Sequence, residues 1–254
     1  MLFLVGLGLS EKEIPIGTME ACRNCELYID KFTSMVEERT TDYITEQTGK
    51  RITELTRQDM EEDAKDIVQR AKTKDIAILV GGDPLMATTH KILYIEAERQ
   101  NVKTQIVHAN SIITTAIGES GLDFYRFGAP CTIPKWSHHY SPVSFYEKIE
   151  ANLVNKNHTI LLLDYDSKSK TTIAITDAIN ALEKADAHYK KGIINNKTKI
   201  ILLHNMSLED GKVISTTIEN AKTLDYSGVN IIILPAELTD IEKEAVFAIT
   251  GKKW

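Results

Sequence analysis

The sequence predicts an α/β fold from three observations. Two short apolar runs, Leu2–Val5 and Ile76–Val80, each end in a glycine-bearing turn. Strand and helix patterns alternate through the first half, as a mainly parallel sheet requires. The second half adds three more apolar strand patterns and two amphipathic helices.

Taken in order, strands are expected at Leu2–Val5, Leu27–Lys31, Ile76–Val80 and Thr104–Val107. The run Ile76–Val80 is uninterrupted, which suits a parallel strand buried on both faces. Between the second and third strands, Met60, Ala64, Ile67, Val68 and Ala71 share one face of a helix expected over Gln58–Ala71. Asp59, Glu61, Glu62 and Asp63 crowd its first turns, where they suit the helix dipole. Another helix is expected to begin near Leu85, after Pro84, and a short one over Ser111–Ile117. Gly118, Gly121, Gly128, Pro130 and Pro134 then interrupt periodicity and suggest a boundary near Gly118, giving domains 1–117 and 118–254. Beyond it, strands are expected at Thr159–Asp164, Lys199–His204 and Asn230–Leu234, and helices at Ile175–Ala187 and Ile241–Ile249. Asp210-Gly211-Lys212 marks a tight turn.

The 254 residues suffice for one large domain or two of ordinary size. A net charge of −6 lacks the positive bias of a phosphate-backbone binder and disfavours direct nucleic-acid contact. No apolar stretch approaches the roughly 20 residues of a membrane span, and Met1 leads straight into a strand. With three cysteines, too few for a disulfide scaffold, the chain reads as cytoplasmic.

Both glycine turns are candidate ligand contacts, because open α/β sheets bind ligands beyond their strand ends. In Gly81-Gly82-Asp83-Pro84, the glycines permit close backbone approach and Asp83 offers an acceptor. Gly6-Leu7-Gly8-Leu9-Ser10 lacks a dinucleotide fingerprint, since Glu11 stands where a third glycine is required.

These turns, together with Ala87-Thr88-Thr89-His90, His108-Ala109-x-Ser111-Ile112, Tyr125-Arg126-Phe127-Gly128, Ser144-Phe145-Tyr146 and His158-Thr159-x-Leu161-Leu162-Leu163-Asp164, resemble the diphthine synthase family of tetrapyrrole-methylase-like methyltransferases. The resemblance spans nearly the whole chain. It implies two α/β domains of the class III methyltransferase type, with S-adenosylmethionine folded into the cleft between them, and usually a homodimer. It further implies cofactor contacts from Leu9, Asp83, Met86, Ser111, Ile112, Leu163 and the backbone near Asn205, and a last contact at Thr239. The implied reaction methylates the amino group of a modified histidine, the diphthamide precursor, on translation elongation factor 2, leaving S-adenosylhomocysteine. No metal and no membrane or nucleic-acid partner is implied. A corrin-type tetrapyrrole methylase and a non-catalytic S-adenosylmethionine-binding regulator are the alternatives.

Two departures stand out: His204-Asn205-Met206-Ser207 replaces the family's Ala-Arg-x-Gly-like stretch, and Leu238-Thr239 replaces Leu-His. Among other motifs, Cys22-Arg23-Asn24-Cys25 follows Ile16 and Met19 at helical spacing and reads as buried packing. His138-His139 lies in a loop and reads as solvated or at a substrate edge rather than as a metal site, and His90 and His108 read as structural hydrogen-bonding residues.

Overall fold

The computed structural model describes residues 1–61 and 63–254. Its packing divides the chain into two compact units, Met1–Ile112 and Ile113–Trp254, each around its own sheet. The class is α/β, as the sequence predicts. Gly118, where the interruptions suggested a boundary, lies within the helix Ile112–Glu119.

The first unit contains β1 (Leu2–Gly6), α1 (Ile16–Asn24), β2 (Glu26–Asp30), α2 (Glu38–Thr48), β3 (Ile52–Leu55), α3 (Arg57–Glu61), α4 (Ala64–Arg70), β4 (Ile76–Val80), α5 (Lys91–Arg99) and β5 (Thr104–Val107). Among the described residues its sheet runs β3-β2-β4-β1-β5, with every pairing parallel. Central β4 shows why its sequence is continuously apolar. Ile76, Ile78 and Val80 pack with Met60, Ile67, Val68 and Leu93, whereas Ala77 and Leu79 face Met19, Cys22 and Ile44 on the other side.

Two helix expectations need correction. The stretch Gln58–Ala71 forms α3 and α4 rather than one helix, although Met60, Ala64, Ile67, Val68 and Ala71 are all buried. Asp59 serves as a cap: Thr56 donates to its carboxylate from both N–H and hydroxyl, and the Asp59 N–H donates back to the Thr56 hydroxyl. Glu62, counted with the acids of that turn, lies outside the described residues. After Pro84 the next helix begins at Lys91 rather than near Leu85. Asp83 accepts from the Leu85 N–H, and Ala87 adopts a left-handed φ of 55°, so the chain turns instead of coiling.

The second unit contains α6 (Ile112–Glu119), β6 (Cys131–Ile133), α7 (Phe145–Val154), β7 (Thr159–Leu163), β8 (Tyr165–Asp166), β9 (Thr171–Thr172), α8 (Ile175–Tyr189), β10 (Lys199–His204), β11 (Lys212–Thr217), α9 (Ile218–Ala221), β12 (Asn230–Leu234) and α10 (Asp240–Thr250). Its main sheet is mixed and runs β11-β10-β12-β7-β6 among the described residues. Strand β12 is antiparallel to both neighbours, so β7 and β10 point one way and β12 the other. A hairpin does form here, with β10 and β11 antiparallel, but residues 205–211 join them as a longer loop and Lys212 already belongs to β11, so Asp210-Gly211-Lys212 is not itself a tight hairpin turn.

Glu242, in the first turn of α10, ties three separate segments of this unit together. Its carboxylate accepts from the Asp123 N–H at 3.1 Å, from His158 Nε2 at 2.9 Å, from the Thr239 N–H at 2.8 Å and from the Arg126 guanidinium. The Ala236 N–H donates to His158 Nδ1, which fixes the neutral imidazole with its proton on Nε2. Arg126 also donates to the carbonyls of Lys156 and Glu237. Gly128 fits under Asn152, where a Cβ would lie 2.1 Å from Oδ1. Arg126, Phe127 and Gly128 of the Tyr-Arg-Phe-Gly motif are therefore a packing joint of the second unit, whereas Tyr125 is exposed.

Candidate cofactor site

In the first unit the ends of β1, β4 and β5 form a cradle. The register Gly6↔Val80 brings the two glycine turns to one level. There Gly8 and Gly82 exchange hydrogen bonds, at 3.3 Å from Gly8 N and 2.8 Å from Gly82 N. Both glycines have positive φ, 74° and 75°. A Cβ on Gly82 would stand 3.8 Å from Ser111 Cα and 4.0 Å from Leu9 Cδ2. Leu9 and Ser111 thus lie at ordinary van der Waals distance from that position, and the Gly82 backbone is buried between them. Glu13 braces the cradle by accepting from Leu9 N at 3.2 Å and from Asn110 Nδ2 at 3.0 Å.

Asp83 is buried and clamps this site. Oδ1 accepts from the Leu85 N–H at 2.9 Å; Oδ2 accepts from the Ala109 N–H at 3.3 Å and meets His108 Nδ1 at 2.7 Å. A carboxylate offers about four lone-pair sites, of which these contacts use three. These contacts join the loop after β4 to the loop after β5 and leave one acceptor position on the carboxylate. Met86 extends from the same loop, 44% exposed, while Ile112 is half-buried after Ser111.

A second carboxylate–imidazole pair holds the far end of the loop. Asp30, at the end of β2, accepts from Phe32 N and Thr33 N on Oδ1. Its Oδ2 lies 2.9 Å from His90 Nε2, with both side chains fully buried. Burial alone would raise the Asp30 pKa; the imidazole and the Thr33 donors outweigh it and hold the carboxyl below its usual range. The imidazole sits off the line of a hydrogen bond, and His90 Nδ1 has no hydrogen-bond partner among the described residues.

In the second unit the opposed strand directions gather Leu163 at the end of β7, Asn205 just after β10 and Asn230 at the start of β12. Asn205 has a φ of 43°; its N–H donates to Val229 O, and its Oδ1 accepts from the Val229 N–H. Its amide also donates to Asp210, holding that carboxyl below its usual range. Asn230 is buried, pairs with His204 Nδ1 at 2.9 Å, and donates to Tyr226 O.

Thr239 does not join this group. It caps α10 through a reciprocal box with Glu242, next to His158 at the opposite end of β7. Five strand residues, about 16 Å, separate the two ends. The structure instead brings Asn230 to Leu163 and Asn205. A lone asparagine before an apolar run reads as a turn residue, and its place depends on β12 running against β7.

The remaining polar motifs stay apart from these groups. Burial, followed by the neighbouring Cys25, pushes the Cys22 thiol up to about 12. Burial likewise pushes Cys131 to about 11, leaving inert thiols. His138 and His139 are exposed beside one another. Among the described residues, no cluster of three His, Cys, Asp or Glu could hold a metal, and no helix is long and apolar enough to cross a membrane.

A parallel sheet with glycine turns at its strand ends, followed by a mixed-sheet unit, has the architecture of an S-adenosylmethionine-dependent methyltransferase. The chain belongs to the tetrapyrrole (corrin/porphyrin) methylase family, which matches residues 1–222, and within it to the diphthine synthases. It is 34% identical over 254 residues to the diphthine synthase of Methanothermobacter thermautotrophicus, covering 99% of this chain and 96% of the relative. With the diphthine synthase of Archaeoglobus fulgidus it shares 37% identity over 89% of this chain and 92% of the relative. A solved diphthine synthase superposes with a TM-score of 0.86 at 31% identity, covering 98% and 96% of the two chains. A conserved protein of Aeropyrum pernix K1 gives 0.91 at 28% identity, covering 100% and 90%.

Proposed function

We propose that this chain methylates the amino group of the modified histidine of translation elongation factor 2, converting the diphthamide precursor to diphthine. The near full-length likeness to diphthine synthases carries this reading and favours it over a corrin methylase. S-adenosylmethionine, when bound, supplies a methyl group on a positively charged sulfonium.

The residues fit such a ligand. Support comes from the turn at Gly82 packed between Leu9 and Ser111, with exposed Met86 and half-buried Ile112 on the same loops: a chiefly apolar, backbone-rich surface of the kind an adenosyl group needs. In the first unit we assign cofactor contacts to Leu9, Met86, Ser111 and Ile112, with Asp83 fixing the loops and keeping one acceptor position. In the second we assign Leu163, the Asn205 backbone and Asn230, with Asn230 replacing Thr239.

The chain's task is to orient an uncharged amine in line with the methyl group and to exclude competing water. Each attacking amine must first lose its proton, which passes to solvent between transfers. The proposed endpoint is three methyl groups, within a cytoplasmic homodimer that needs no metal.

Mass spectrometry of elongation factor 2 carrying the unmethylated precursor, incubated with this protein and S-adenosylmethionine, tests the reading. Mass gains of successive methyl groups on the modified histidine are expected. Cofactor binding without any gain would leave the regulator as the better description.

A further inference from the structure

We propose that the cavity beside Trp136 in the second unit receives the aminocarboxypropyl arm of the modified histidine; the inference rests on the reaction proposed above. The cavity holds about 440 Å³, within the usual range of small-ligand pockets. It opens at the sheet end that gathers Leu163, Asn205 and Asn230. Ile133 pairs with Leu163 across β6 and β7, and Lys135 and Asp166 follow two and three residues later. At strand spacing that is about 7 to 10 Å beyond Leu163, the reach of an extended side chain.

The lining matches the arm group by group. Trp136 forms an aromatic wall, its ring fixed by Nε1 donating to Pro142 O at 3.2 Å. Lys184 Nζ lies 5.3 Å from that ring's centroid. Lys135 Nζ meets Asp166 Oδ2 at 2.8 Å, and Asp177 completes the set from the first turn of α8. The substrate arm carries one carboxylate and one amine on the same carbon. Two ammonium groups answer the carboxylate. Two carboxylates and an indole face answer the amine, which becomes a fixed cation at the third methylation.

Stability does not explain this arrangement. Lys135 is 63% exposed, and an exposed ion pair contributes little to folding. Its charges stand open to solvent, ready to exchange partners with an incoming zwitterion.

Steady-state methyl transfer to elongation factor 2 bearing the unmethylated precursor, with calorimetric titration of S-adenosylhomocysteine, tests the subsite. Lys135→Glu, an exposed change, should raise KM for the protein substrate roughly 10- to 100-fold, and Lys135→Arg should restore most of it. Trp136→Ala should raise KM in the same direction. Affinity for S-adenosylhomocysteine should stay within about twofold in all three variants. An unchanged KM in both Lys135→Glu and Trp136→Ala, with an active wild type, overturns the subsite alone. So does a KM rise matched by an equal loss of cofactor affinity. Absence of transfer by the wild-type protein overturns the reaction and the subsite together.

Discussion

Nδ1 of His108 lies 2.7 Å from Oδ2 of Asp83, joining two sequence motifs 25 residues apart into one wall of the cradle. The Ala109 N–H reinforces the same oxygen. Because His108 is 68% exposed and Asp83 only 6%, the carboxylate is the buried anchor and the imidazole its outer guard.

Removing the anchor should loosen both loops. If the free acceptor position of Asp83 meets the ligand, Asp83→Ala is expected to weaken S-adenosylhomocysteine binding by about 1.5 to 3 kcal/mol, the value of a hydrogen bond to a charged group. His108→Ala, on the exposed side, should cost less than half of that. Calorimetric titration of both variants measures the difference; equal losses would mean that the imidazole itself touches the ligand.

The Asp30–His90 pair should matter more for folding. His90→Phe leaves the Asp30 carboxylate buried without its imidazole, which should cost about 3 to 5 kcal/mol. Asp30→Asn with His90 retained removes the charge and should cost less. Urea unfolding of the two variants gives the order, and a His90→Phe protein as stable as wild type would show the pair to be dispensable.

Glu242 sets an acid limit on the second unit. Burial tends to raise its pKa, but the donors from Thr239, Asp123 and His158 prevail and bring it down to about 2 from an ordinary 4.5. Its folded pKa is depressed, so its stabilisation is complete above about pH 4.5 and disappears as pH falls toward 2, for a total of roughly 3 kcal/mol. Glu242→Gln should flatten the fall in stability across that window. Denaturant midpoints measured from pH 5 to 2.5 decide it, and parallel curves for variant and wild type would contradict the assignment.

Thr239→Ala and Asn230→Ala separate a cap from a ligand contact. Loss of the Thr239 cap should cost about 1 kcal/mol of stability and leave cofactor affinity unchanged. Asn230→Ala should reduce cofactor affinity as well as stability. Thermal unfolding and titration on each variant supply both readouts; a drop in affinity at Thr239 would return it to the ligand site.

The first unit was the more legible in sequence. Ile76–Val80 announces a strand covered on both faces, and the glycines after it and after Leu2–Val5 mark the two turns that meet at Gly8 and Gly82. Edge strand β3 escaped notice because only Leu55 among its residues is buried. Strands β6, β8 and β9, two or three residues long, carry no period. Asp83 was visible as a carboxylate acceptor at a strand end, but its partners were not, since His108 and Ala109 approach only once β5 is in place. The separation of Thr239 from Leu163 has a topological reason. Periodicity locates β7 and β12 but not their relative direction, and direction decides which end of β12 meets Leu163.

The rung between Gly8 and Gly82 also couples ligand binding to stability. Its two halves lie 74 positions apart, so closing it sets β1 beside β4 across a long stretch of chain. A molecule in which the rung is open lacks one wall of the cradle. Saturating cofactor therefore favours the closed unit, reversibly and by RT ln(1 + [L]/Kd).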